Sequence, residues 1–86
     1  MNVIKVIKNL NKAETAYYEA KRELELTKAD LQLHTEWSEV LDKPKPTVAE
    51  KDSWIALQTK DLQAKVDGLK IRRDYLHRLY KVAFLE

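Results

Sequence analysis

Cysteine is absent from the 86 residues, which excludes disulfides and thiolate metal sites. Glycine occurs once, at Gly68, and proline twice, at Pro44 and Pro46. So few chain breakers argue against a strand-and-turn fold and leave no glycine loop to cradle a phosphate. No uncharged run approaches the roughly 20 residues of a membrane span. The first ten residues alternate apolar side chains with Lys5 and Lys8 and do not form a signal-peptide core. A cytoplasmic protein with no membrane partner is therefore expected. Neither sign of charge dominates, the net being +2, so charge acts through its distribution. What remains is 35% charged residues of both signs interspersed with 44% hydrophobic ones. That mixture belongs to long helices and coiled coils. The expected class is all-α.

The one strong interruption is Asp42-Lys43-Pro44-Lys45-Pro46-Thr47. Proline removes a backbone donor and drives its predecessor out of the helical region, so two prolines one residue apart stop a helix. Thr47-Val48-Ala49-Glu50 then fits a capping box, with reciprocal hydrogen bonds between the threonine hydroxyl and the glutamate carboxylate and backbone. Asn2 is a good N-cap for the first helix. Residues 1–86 thus read as a single helical-hairpin domain: a helix over 3–41, a Pro-rich turn over 42–47 and a helix over 48–84. Two readings of His34-Thr35-Glu36 stay open, a continuous helix or a bend near residue 35.

Apolar residues recur at heptad spacing. In the first helix one row is Val3, Leu10, Tyr17, Leu24, Leu31 and Ser38, and its companion is Val6, Ala13, Ala20, Thr27, His34 and Leu41. The second helix carries Val48, Ile55, Leu62, Leu69, Leu76 and Ala83, with a less apolar row of Asp52, Thr59, Val66, Arg73 and Tyr80. Folding back at the prolines aligns them in an antiparallel register. Val6 then meets Ala83, Ala13 meets Leu76, Ala20 meets Leu69, Thr27 meets Leu62, His34 meets Ile55 and Leu41 meets Val48. Small residues face large ones at successive levels, as a packed seam requires. The second row pairs Leu10 with Tyr80, Tyr17 with Arg73, Leu24 with Val66 and Leu31 with Thr59. Trp37 and Trp54 fall near one level at the loop end, and Arg73 is expected to lie along Tyr17.

Each helix carries a second apolar side. Leu26, Ala29, Leu33, Trp37 and Val40 lie away from the seam on the first helix, and Leu57, Ala64, Gly68, Ile71, Tyr75 and Val82 on the second. Ala64 and Gly68, four residues apart, would admit a partner helix closely. Extended exposed apolar patches mark interaction sites. The expectation is a homo-oligomer, in its simplest form a dimer of hairpins forming a four-helix or larger bundle. The competing reading is that the segment after Thr35 folds back and covers part of this face within one chain.

Charge is segregated along the rod. Lys5, Lys8 and Lys12 stand with no acid in residues 1–12, and Lys70, Arg72, Arg73, Arg78 and Lys81 stand against Asp74 in residues 69–81. Antiparallel folding gathers these at the open end. Lys5, Lys8, Lys12, Lys70, Arg72, Arg78 and Lys81 are the candidate contacts for an anion or nucleic acid, with Tyr75 and Tyr80 as aromatics able to stack on bases. The competing reading is that these cations oppose the helix macrodipole and the tyrosines belong to apolar rows. Asp74 and His77 have the i, i+3 spacing of a carboxylate–histidine ligand pair, but only Glu14 is offered at that level from the other helix. No metal site, cofactor, catalytic residue or small-molecule substrate is expected, and the chain is not read as an enzyme.

The segment from His34-Thr35-Glu36-Trp37 through Lys43-Pro44-Lys45-Pro46-Thr47-Val48-Ala49-Glu50-Lys51 to Trp54-Ile55 resembles short helical-hairpin proteins of uncharacterised function from phages and prophages of Gram-positive bacteria. The resemblance covers the middle third of the chain. It implies a phage or prophage origin and a small accessory protein, and it brings no site residues. The leading expectation is a non-enzymatic, self-associating protein–protein interaction module. Two alternatives stay open: a nucleic-acid-associated factor acting through the basic end, and an inhibitor of a host or defence protein.

Overall fold

The computed structural model describes residues 2–85, which form a rod of 62 × 17 × 15 Å. It is an antiparallel helical hairpin: α1 (Val3–His34) runs out, α2 (Trp37–Val40) turns, and α3 (Val48–Gln58) with α4 (Lys60–Leu85) runs back. There is no strand among the described residues. Asn2 caps α1, its side-chain oxygen accepting from the Lys5 amide at 3.2 Å.

The first helix ends earlier than the expected Leu41. It stops at His34, where Thr35 adopts an extended conformation and its amide bonds the Leu31 carbonyl at 3.2 Å. Of the two readings left open for residues 34–36, the break is the one observed. The next residues make one turn of helix, closed by the Leu41 amide on the Trp37 carbonyl at 3.0 Å. Asp42 follows with a φ of 53°. It occupies the left-handed position that commonly ends a helix, where aspartate is better tolerated than most residues with a side chain.

The capping box forms. The Glu50 amide donates to Thr47 Oγ1 at 3.2 Å, and the Thr47 amide donates to Glu50 Oε1 at 3.3 Å. Lys43 Nζ lies 2.7 Å from Glu50 Oε2, so the turn is tied to the helix it precedes. The lysine, followed by the Thr47 hydrogen bonds, holds the Glu50 carboxyl below its ordinary value.

The expected helix over 48–84 is interrupted at Thr59. Both the Thr59 amide and hydroxyl donate to the Ile55 carbonyl, at 2.9 and 2.8 Å. Thr59 is 1% exposed, the only buried polar side chain among the described residues. Its backbone leaves the α-helical region (φ −104°, ψ 13°), and the helix resumes one residue later. A hydroxyl bonding back four residues competes with the helical ladder and often bends it. The sequence pattern put Thr59 on the seam but carried no sign of the break.

The seam has the expected register over most of its length. Tyr17, Ala20, Leu24 and Val66 form one buried cluster, with Leu62 and Leu69 packed on it. Leu10, Ala13 and Leu76 form a second, with Leu79 and Tyr80. Val6 and Ala83 are both buried at the open end. The Arg73 guanidinium sits over the Tyr17 ring at 4.5 Å and also bonds Asp74, at 3.3 Å through Nε and 3.1 Å through Nη2. The stem thus covers apolar surface while the head keeps a partner. The Asp74 hydrogen bonds raise the Arg73 pKa further above its already high value.

At the loop end two expected pairs are corrected. His34 is exposed and lies 3.8 Å from Asp30 on its own helix, away from the seam. Val48 is exposed as well, so the Leu41–Val48 level does not form. For Leu41 the cause is the break at Thr35, which resets the phase that a continuous helix would have carried there; His34 precedes the break, and at about 100° per residue it stands about 60–80° round α1 from Leu31 and Leu24. Trp37 closes this end, at the level it is expected to share with Trp54. Its indole N–H donates to the Gln32 carbonyl at 3.2 Å, its ring meets Trp54 edge-on at 5.4 Å, and Lys51 Nζ lies 5.7 Å from the ring centre.

A candidate self-association face

The second apolar side of the returning helices is open. At about 100° per residue, Leu57, Ala64, Gly68, Ile71, Tyr75 and Val82 fall roughly opposite the seam residues Ile55, Leu62, Val66 and Leu69. Leu57 is 71% exposed, Ile71 68%, Tyr75 52% and Val82 50%. Ala64 and Gly68 are exposed too, and a Cβ built on Gly68 would meet nothing within 4 Å. No local backbone requirement accounts for this glycine, because its φ is negative and it lies inside α4. Glycine there costs the helix about 1 kcal/mol relative to alanine.

The matching side of the first helix is less coherent. Leu26 and Leu33 are exposed on α1, and Val40 on α2. Trp37 does not join them, because its ring is half-buried against Trp54. Ile4, Ile7 and Tyr18 are also exposed on α1, and the heptad reading overlooked them. Helical spacing sets them on the outer side, but Asn11, Thr15, Arg22 and Glu25 interrupt that stripe. The short α2 turn leaves Leu57, Ile71, Tyr75 and Val82 uncovered, so the fold-back reading does not account for them. A shallow depression of about 400 Å³ at the loop end is lined by Leu41, Ala49, Trp54 and Leu57 together with Glu50 and Ser53.

The basic candidates are all solvent-exposed: Lys5, Lys8 and Lys12 on α1, and Lys70, Arg72, Arg78 and Lys81 on α4. They do not form one stripe. Helical spacing puts Lys70 and Lys81 on one flank of the seam and Arg72 on the other, with Arg78 on the outer side. Tyr80 is packed against the second core cluster and lies 6.0 Å from Phe84, which leaves Tyr75 as the freely exposed aromatic of the pair. Asp74 pairs with Arg73, and His77 Nε2 is 2.9 Å from Glu14 Oε1 on the facing helix. Among the described residues no three metal-binding side chains gather, and no helix is long and apolar enough to cross a membrane.

Comparison with known protein families, curated proteins and solved structures finds no match to this chain.

Proposed function

We propose that this chain is a non-enzymatic, self-associating interaction module in which two hairpins join through the outer face of α3–α4 into a four-helix assembly. In origin we propose a phage or prophage accessory protein, on the resemblance of its central segment. The observation that carries the self-association is the run of exposed Leu57, Ile71, Tyr75 and Val82 around the open positions Ala64 and Gly68. Magnitudes bound the affinity. Four large side chains from each copy, each half or more exposed, offer on the order of 10 kcal/mol at about 1.5–3 kcal/mol per buried side chain. Association costs roughly 4–15 kcal/mol. Against the lowest of those costs the balance is about 6 kcal/mol, so the dimer is no tighter than roughly tens of micromolar.

Sedimentation over a concentration series tests this. The expected result is a shift from one chain to two as concentration rises, abolished by Ile71→Asp with the helical circular dichroism retained. A single-chain species at every concentration would remove the proposal.

The exposed cations at the open end support a second reading, nucleic-acid association. Phosphate contacts lose affinity steeply with salt. Absence of binding to duplex and single-stranded probes at low salt would discard it. The remaining alternative, inhibition of a host or defence protein, would be favoured by recovery of one stoichiometric host enzyme on the immobilised chain.

A further inference from the structure

We infer that the partner on the outer face is a second copy running antiparallel, with α3–α4 lying on α3–α4 about a two-fold axis between Leu69 and Lys70. This rests on the self-association proposed above and specifies its geometry. Written as heptads, the outer face has Leu57, Ala64, Ile71 and Arg78 in one row and Asp61, Gly68, Tyr75 and Val82 in the other. Antiparallel packing sets one row against the other at each level. In the register whose paired numbers sum to 139, Gly68 faces Ile71, Ala64 faces Tyr75, Leu57 faces Val82 and Asp61 faces Arg78, each level occurring twice. The smallest side chains meet two of the largest, and the two charges that interrupt the face meet as opposites. Both Asp61 and Arg78 are exposed in the single hairpin.

A parallel arrangement loses these features. It stacks Gly68 on Gly68 and leaves a void, and it sets Asp61 on Asp61 and Arg78 on Arg78. Shifting the antiparallel register by one heptad pairs Ala64 with Gly68 or carries Leu57 off the end of the partner. The rims of the chosen register do cost something, because Asp67 comes near the partner's Asp74, Lys60 near the partner's Lys81 and Lys65 near the partner's Arg72. Exposed, water-screened charge pairs count for little against buried apolar levels. Because the outer face lies opposite the seam, the four helices form a layer, α1–α4–α4–α1, and the outer side of each α1 stays free.

The absence of cysteine makes a clean test available. Asp61→Cys and Arg78→Cys chains are prepared separately, mixed, and treated with a short bis-maleimide. Both sites are exposed, and neither belongs to the seam. The inference expects the mixed cross-link in clear excess over either self-cross-link, since like positions are 17 residues out of step, about 25 Å at 1.5 Å per residue. Self-cross-linking of the Asp61→Cys chain would show parallel pairing and overturn the register while leaving self-association standing. A dimer by sedimentation that yields no cross-link would place the interface elsewhere and also overturn it. Absence of any dimer would remove both this inference and the reading on which it rests.

Discussion

The two halves of the rod are built differently. From Val6 and Ala83 up to Leu24 and Val66, buried residues recur every three or four positions on α1, with Val66, Leu76 and Ala83 facing them from α4. Over residues 32–58 the only buried side chain is Ile55. There a broken helix, a one-turn α2 and a proline turn are held by local hydrogen bonds, the Trp37–Trp54 contact and the Lys43–Glu50 ion pair. The open half is stabilised by burial between distant parts of the chain. The loop half is shaped by capping, turn chemistry and one aromatic pair, which fix direction and contribute about 1 kcal/mol each.

The sharpest way to break that contrast is to truncate one apolar residue in each half. Leu24→Ala in the first cluster is expected to cost about 2–5 kcal/mol. In an 86-residue chain of modest stability that is a large fraction of the total. Val48→Ala, at an exposed site, should stay within about 0.5 kcal/mol. Urea denaturation of the two variants checks this, and equal losses would mean that the loop half is packed after all. Next in size is Trp54→Ala. It removes an edge-on aromatic pair worth about 0.5–1.5 kcal/mol beyond area burial, and it should lower the melting temperature by less than Leu24→Ala does.

The smallest effect concerns pH. The folded-state carboxyl of Glu50 titrates below its ordinary value, so its contribution is fully present above the unfolded value. That contribution disappears as pH falls through the depressed folded one. Glu50→Gln should therefore be less stable than the parent at neutral pH, and the difference should close on acidification. A gap that persisted unchanged into acid would show that the capping charge is not its source.

The same contrast explains what could be read from the sequence. The turn was legible because two prolines and a capping box are local signals that need no partner. The seam through Leu10, Ala13, Tyr17, Ala20 and Leu24 was legible because heptad phase survives as long as the helix is continuous. Phase fails where continuity fails. Thr35 ends α1, so Leu41 no longer inherits the seam, and Val48 has nothing to face. Trp37 shows the same effect, since an outward position on a continuous helix becomes an inward contact with Trp54 once the chain bends. The break at Thr59 was not legible, because threonine at a seam position looks like ordinary packing until its hydroxyl is seen on the Ile55 carbonyl. On the outer face, Leu57, Ile71, Tyr75 and Val82 stand where helical spacing set them. Ile4, Ile7 and Tyr18 escaped notice because polar residues between them hide the period.

The most direct measurement is small-angle scattering over a concentration series, reading mass and longest dimension together. The account predicts that the mass rises from 10.1 kDa toward twice that value while the particle stays only slightly longer than the 62 Å rod, as side-by-side pairing requires. A mass fixed at one chain up to millimolar concentration, with a radius of gyration near the 18.6 Å of the single hairpin, would contradict it.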